Sequence, residues 1–358
     1  MKILMISYLP LEKEGRLNRC YNALIKEHNV YLIDTNSGSS AEHGTRVSIK
    51  LKNKSNIKNY LEFVKGTVIA TQKVRFDLVY AHNFYAALPA LIISKMSGKP
   101  LLYDAYELYY PAAKTSFSLR DKFFYYNEKR AIKFARQVIC ANKERSLIMT
   151  GHYDLRKLPV VVQNISHEVD PLLHSKSLTN DEEIRIVYAG YLVGDRKIIE
   201  FIDALKGNPY RKRIKFHIYG YGPLAKEIES LSSQHEYNFV EYCGSYNNSE
   251  LGMLLVDYHI GYVSYPNNNF NNIFCCPNKI YDYANNGLAI IASYNEGLLS
   301  IVNKNEIGCC NENLSVAISD VIGKYEEYTS KLETFLSNNT WVKEEIELLK
   351  AVTVAVSN

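Results

Sequence analysis

The chain of 358 residues lacks most of the marks of an exported, metal-stapled or membrane-spanning protein. Its seven cysteines, at positions 20, 140, 243, 275, 276, 309 and 310, include no CxxC pair and stand at no metal-ligand spacing from histidine. This argues against a zinc module and a disulfide framework, and reduced, buried thiols are expected. No stretch reaches the roughly eighteen consecutive apolar residues that a spanning helix needs. The opening MKILMISYLP has too short an apolar core for a signal peptide and reads as a first strand. A cytoplasmic protein is the expectation. No GxGxxG fingerprint follows that strand, where Gly15 stands alone, so a Rossmann dinucleotide site is poorly supported. Zinc-finger, basic-zipper and RNA-binding aromatic motifs are missing as well, which leaves no case for nucleic acid as a partner.

What is present fits a globular enzyme of two domains. Apolar residues make up 47% of the chain and charged residues 22%, and the length exceeds one typical core. Charge is divided unevenly. Residues 1–170 hold 26 Lys and Arg against 15 Asp and Glu, whereas residues 171–358 hold 16 against 23. A basic first half suits an anionic surface, with lipid the favoured kind.

Apolar periodicity predicts strands over 2–8, 30–33, 77–81, 101–103, 138–141, 160–163, 185–189, 215–219, 240–243 and 288–292, with helical patterns between them. This alternation is that of two doubly wound parallel sheets. The segment 165–183 reads as the linker. The expected domains are 1–168, completed by a terminal helix over 341–358, and 169–340. Ligands of such sheets gather at the carboxyl ends of strands, so His82, Asn83, Asp104, Tyr106 and Glu107 are expected on one edge.

The stretch PNKIYDYANNGLAIIA, from Pro277 to Ala292, carries the most chemistry. Pro277 suits a helix start and Gly287 its end. Asn278, Lys279 and Asp282 then share one face, where a positive helix terminus, a cation and a carboxylate can hold phosphate and ribose hydroxyls. On spacing alone an ordinary amphipathic helix with solvated charges is the commoner arrangement. Upstream, Gly190 turns the first strand of the second half, and Arg196 and Lys197 follow at an expected helix start with Asp195 as N-cap. Two cations there oppose the helix dipole unless an anion visits. Gly222, in the turn GYGP, lies after the next strand.

The run PNKIYDYANNGLAII resembles the donor-binding segment of retaining GT-B glycosyltransferases of family 4. FDLVYAHNFYAALPALIISKMSGKPLLYDAYELY, over 76–109, resembles a subgroup of the same family with an HD-like pair and a YDAHE sequence. The resemblance implies a GT-B fold, two Rossmann-like domains facing each other across a cleft, with acceptor bound by the first and nucleotide diphosphate sugar by the second. It implies donor contacts from Gly15, Arg16, Gly190, Arg196, Lys197, Gly222, Pro277, Asn278, Lys279 and Asp282. His82, Tyr106 and Glu107 become the catalytic candidates, with Tyr106 in place of the family's histidine. Phe274 replaces a family glutamate, and Asn271 or Asn272 can supply polar groups nearby. No Asp-x-Asp motif is present, so neither metal nor cofactor is expected. The implied reaction is sugar transfer with retention, in surface polysaccharide or glycolipid assembly, to a saccharide or lipid-linked acceptor. A nucleotide-sugar 2-epimerase and a catalytically silent subunit of the same fold stay open. Separately, LRDKFFYYNEKRAIKFAR, over 119–136, reads as a basic amphipathic helix. Phe123, Tyr126, Ile132 and Phe134 are expected toward apolar surroundings and anionic membrane as a partner, which would make the protein peripheral on the inner face.

Overall fold

A computed structural model of the protein describes residues 1–35, 45–51, 56–105, 107–109, 116–165, 176–178, 183–247, 250–275 and 277–357. The chain divides into two compact units, Met1–Asn164 with Val342–Asn358, and Ile165–Trp341. Among the described residues no helix is long and apolar enough to cross a membrane.

The first unit is built on seven parallel strands: β1 (Lys2–Ser7), β2 (Asn29–Thr35), β3 (Thr45–Ile49), β4 (Leu78–His82), β5 (Leu101–Ala105), β6 (Gln137–Cys140) and β7 (Val160–Val161). Their order across the sheet is β3-β2-β1-β4-β5-β6-β7. Helices cover both faces of such a sheet, so its central strands are apolar throughout rather than alternating. Ile3, Leu4, Met5 and Ile6 of β1 and all of β4 and β5 are buried accordingly. From Val342 onward the terminal helix Trp341–Val356 belongs to this unit. Glu344 accepts the Gln163 N–H at 2.6 Å, and Glu345 pairs with Lys26 at 2.8 Å.

The second unit repeats the plan with six parallel strands: β8 (Ile184–Ala189), β9 (Ile214–Tyr219), β10 (Val240–Gly244), β11 (Ile260–Val263), β12 (Ala289–Ser293) and β13 (Gly308–Asn311). The order is β10-β9-β8-β11-β12-β13. In both sheets the winding direction reverses beside the first strand, between β1 and β4 and between β8 and β11. A crevice for ligands opens at the carboxyl ends of such strands.

Several helix starts differ from the sequence expectation. The helix after β4 runs Phe84–Ser97 and contains Pro89, because Asn83, at φ 67°, turns the chain and its side chain caps the Phe84 N–H. β3, absent from the strands that periodicity predicted, precedes a helix over Asn56–Thr71. Most of the expected linker 165–183 lies outside the described residues.

Candidate functional site

At the second switch point two loops are laced together by backbone hydrogen bonds. Gly190 donates to the Tyr219 carbonyl at 2.8 Å, Leu192 to Tyr221 at 2.9 Å and Leu224 to Leu192 at 3.1 Å. So close an approach leaves no room for side chains. A Cβ on Gly220 would sit 1.8 Å from the Gly190 oxygen, and one on Gly222 2.2 Å from the Leu192 oxygen. At Gly190 the space is taken differently, since a Cβ there would meet the Lys279 ammonium at 2.2 Å.

Lys279 therefore reaches from its helix across the vacant side of Gly190. That helix spans Asn278–Asn285, with Pro277 at the N-cap and no side-chain cap, and Gly287 follows its end at φ 76°. Its first turn leaves N–H groups unpaired and carries the positive end of the dipole. Desolvation, with further repulsion from Arg196 and only partial relief from Asp282, pushes the Lys279 ammonium down to about 8. Asn278 Oδ1 is buried with no partner among the described residues.

Arg196 closes the other side. Its guanidinium donates to the Ser264 carbonyl at 3.0 Å, just past the end of β11, and stacks on Tyr265 with its carbon 3.8 Å from the ring centre. It thus bridges the strand ends on the two sides of the switch point. Asp195 does not cap the following helix as expected. It lies in a 3-10 turn, Gly194–Arg196, and Lys197 takes the N-cap position of Ile198–Lys206 in the left-handed conformation, φ 48°, with no side-chain cap. The sequence reading missed an exposed aromatic pair on these loops, Tyr191 and Tyr221, whose ring centres lie 5.5 Å apart. Asn272 is turned to Asn268 at 2.7 Å, and half-buried Phe274 lies near Phe270. The structure therefore brings Gly190, Arg196 and Lys279 together, with Asp282 near enough to act on Lys279 and Asp195 3.7 Å from the Arg196 guanidinium.

The first switch point is different. Gly15 opens the helix Gly15–Glu27, and Glu14 caps it by accepting the Leu17 N–H at 2.5 Å. Arg16, expected at a ligand, is instead wholly buried. It forks onto both oxygens of Asp104 at 3.1 and 2.8 Å and donates to the Val162 carbonyl at 2.8 Å. Tyr80 adds a hydroxyl bond to Asp104 at 2.8 Å. His82 pairs in register with Asp104 on the neighbouring strand. Its Nε2 lies 3.0 Å from Glu14 and its Nδ1 3.4 Å from Asp104.

Burial disfavours the charged imidazole, but hydrogen bonds and charge from Asp104 and Glu14 prevail and lift His82 to about 9. Burial likewise opposes the Asp104 carboxylate, and Arg16 and His82 nevertheless hold it well below the usual range. His82, expected as an acid/base candidate, sits inside this network. The ring is 1% exposed, protonated at neutral pH and turned at both nitrogens toward carboxylates. Glu107 is exposed just after β5, while Tyr106 lies outside the described residues. The signal for this knot was present in the sequence as Glu14 three residues before Leu17, a capping acid beside a histidine-ended strand.

The sequence matches no protein-family model and no curated protein. Solved structures do match. HepE of Anabaena in complex with UDP superposes at a TM-score of 0.72 and 16% identity, over 99% of this chain and 100% of that one. The same protein has also been solved with UDP-glucose. Sucrose-phosphate synthase of Thermosynechococcus elongatus gives 0.73 and 14%, over 99% and 98%. The lipopolysaccharide outer core galactosyltransferase WaaB gives 0.71 and 14%, over 99% of each chain. These likenesses define the fold as GT-B, two Rossmann-like parallel-sheet domains.

Proposed function

We propose that the protein is a glycosyltransferase that moves a sugar from a nucleotide diphosphate sugar to an acceptor, with retention and without a metal. The observation that carries this is the pair of neighbouring cations Arg196 and Lys279 at the second switch point, Lys279 buried at a helix start beside Gly190 and only partly relieved by Asp282. Cleavage of the bond to the anomeric carbon leaves charge on the diphosphate. Donors already in place and shielded from water stabilise that charge without reorganising. In this reading Asp282 takes ribose hydroxyls, Asn278 and Lys197 add polar contacts at the two helix starts, and Gly190 and Gly222 let the phosphates approach the backbone. Glu107 and Tyr106 are assigned to the acceptor side, with the first unit as the acceptor domain.

HepE, of the same fold, binds UDP and UDP-glucose, which makes these the first ligands to test. The acceptor class we favour is a saccharide or lipid-linked saccharide of surface polysaccharide or glycolipid assembly. Titration calorimetry with UDP should show binding that Arg196→Ala and Lys279→Ala each weaken by about tenfold or more, the worth of a charged hydrogen bond. Failure of the wild-type chain to bind any of UDP, GDP, ADP and CDP, or unchanged affinity in both variants, sinks the reading. Turnover should persist in excess chelator, and the product's anomeric configuration, read by proton NMR, should match the donor's.

A further inference from the structure

The proposed donor site does not use the aromatic side chains that gather at the carboxyl edge of the first sheet. Tyr8 follows β1, Phe84 and Tyr85 open the helix after β4, and Tyr109 follows β5. These three strands are neighbours in the sheet. Tyr8 and Tyr85 stack, their ring centres 4.8 Å apart, and Phe84 lies on Tyr109 at 4.0 Å. The helix Asn56–Thr71 adds Tyr60 and also Phe63, which stands edge-on to Tyr8 at 5.1 Å. From the helix Leu119–Phe134 comes Phe124, edge-on to Tyr60 at 4.9 Å. Phe123, Tyr126 and Phe134 of that helix, expected toward apolar surroundings, stay exposed.

Hydrophobic packing explains the rings but not their oxygens. Tyr60 is 4% exposed, and its hydroxyl is buried with no partner among the described residues. A polar group so placed opposes folding unless a hydrogen bond reaches it. Burial first, then the Tyr85 and Tyr8 phenols, raise its proton affinity, so the three tyrosines form one cluster. Tyr8 and Tyr85 are only half-buried, which leaves their side of the cluster open to solvent. Arg120, itself exposed, donates to the Tyr85 oxygen at 2.9 Å, and the Tyr85 O–H is left to donate outward.

We infer that this cluster seats a pyranose ring of the acceptor, with its C–H face against the Tyr8–Tyr85 stack and its hydroxyls on the two phenols and Arg120. Tyr60 is then a positioning residue, its buried hydroxyl bonding to the phenol that the sugar has turned. Aromatic faces are negative and attract the C–H hydrogens of a sugar, and phenols that both donate and accept match its hydroxyls. A hydrocarbon tail would leave these oxygens unpaired, and a phosphate dianion, which only accepts, would use no phenol lone pair. Such a seat rests on the reading of the first unit as the acceptor domain, and it narrows the acceptor to one recognised by its sugar rather than by a lipid.

The test is saturation-transfer NMR of the full chain with the methyl glycosides of glucose, galactose, N-acetylglucosamine and rhamnose at millimolar concentration. At least one is expected to bind, with saturation strongest at its ring C–H protons. Tyr8→Ala and Tyr85→Ala should each weaken binding about fivefold through lost stacking. Tyr85→Phe and Arg120→Ala should each weaken it about threefold through a lost hydrogen bond. Tyr60→Phe should weaken it about twofold at an equal or higher melting temperature, because the hydroxyl it removes has no partner among the described residues. Tyr126→Ala, on the exposed face of its helix, should change nothing. UDP binding, measured on every variant, keeps the two readings apart. A chain that binds UDP and none of the glycosides overturns the sugar seat and leaves the donor site standing, whereas one that binds a glycoside but not UDP upholds the seat and sinks the donor reading. Unchanged affinity in both Tyr85→Phe and Tyr60→Phe, or an equal loss in Tyr126→Ala, would also overturn the seat.

Discussion

The two switch points are the same place in the same topology, yet they treat charge in opposite ways. At the first, Arg16 and His82 meet Asp104 and Glu14, and two buried cations are matched by a buried and a largely buried anion. At the second, Asp195 lies 3.7 Å from the Arg196 guanidinium, while Lys279 is only partly relieved by Asp282, and burial first and Arg196 second lower its proton affinity. A balanced knot stabilises the fold and has nothing left to offer a ligand. A buried cation with only partial compensation is better offset by an added anion. This contrast is the reason the proposed reading puts the diphosphate at the second unit.

The sharpest way to break the comparison is to remove one charge from each side. Asp104→Ala leaves Arg16 buried without its partner and should cost about 3–5 kcal/mol of stability in urea unfolding. Lys279→Met removes a desolvated cation and should leave stability equal or higher while abolishing the UDP contact. If Asp104→Ala unfolds no more easily than Lys279→Met, the first knot is not structural.

Acidity offers the next test. The folded His82, at about 9, holds its proton more tightly than an ordinary histidine at 6.5. Its stabilisation is therefore complete below pH 6.5, shrinks as pH rises and is gone above about 9, an effect of about 3 kcal/mol across that window. Glu128 adds a decline of the same sign that ends by about pH 8. The difference in slope between wild type and His82→Gln from pH 6.5 to 9 isolates the histidine, and parallel slopes would refute its protonation. The smallest effect separates two glycines. Gly222→Ala meets a backbone carbonyl and should cost about 1–3 kcal/mol, whereas Gly190→Ala meets only the mobile end of Lys279 and should weaken UDP binding at nearly constant melting temperature.

Much of this was legible in advance because it depends on local pattern. The apolar runs that became β1, β4, β5, β8 and β12 carry their own period, and Pro277 and Gly287 bracket their helix by backbone chemistry alone. The error at Asp195 came from reading a capping residue type without knowing that the Gly190 loop closes in a 3-10 turn first. On the helix after residue 118, aromatics occupy several faces, so periodicity could not tell that Phe124 goes in while Phe123 and Tyr126 stay out.

The sequence by itself determined two doubly wound sheets, the glycine-bearing turns after their strands and the basic character of the first half, because each follows from residue type and near-neighbour spacing. Only the tertiary structure decided that Arg16 is buried against Asp104, 88 residues away, while Arg196 is held at the end of β11 beside Lys279. The physical reason is that an arginine's role depends on which carboxylates share its burial. Strand order, fixed by long-range pairing, sets those neighbours.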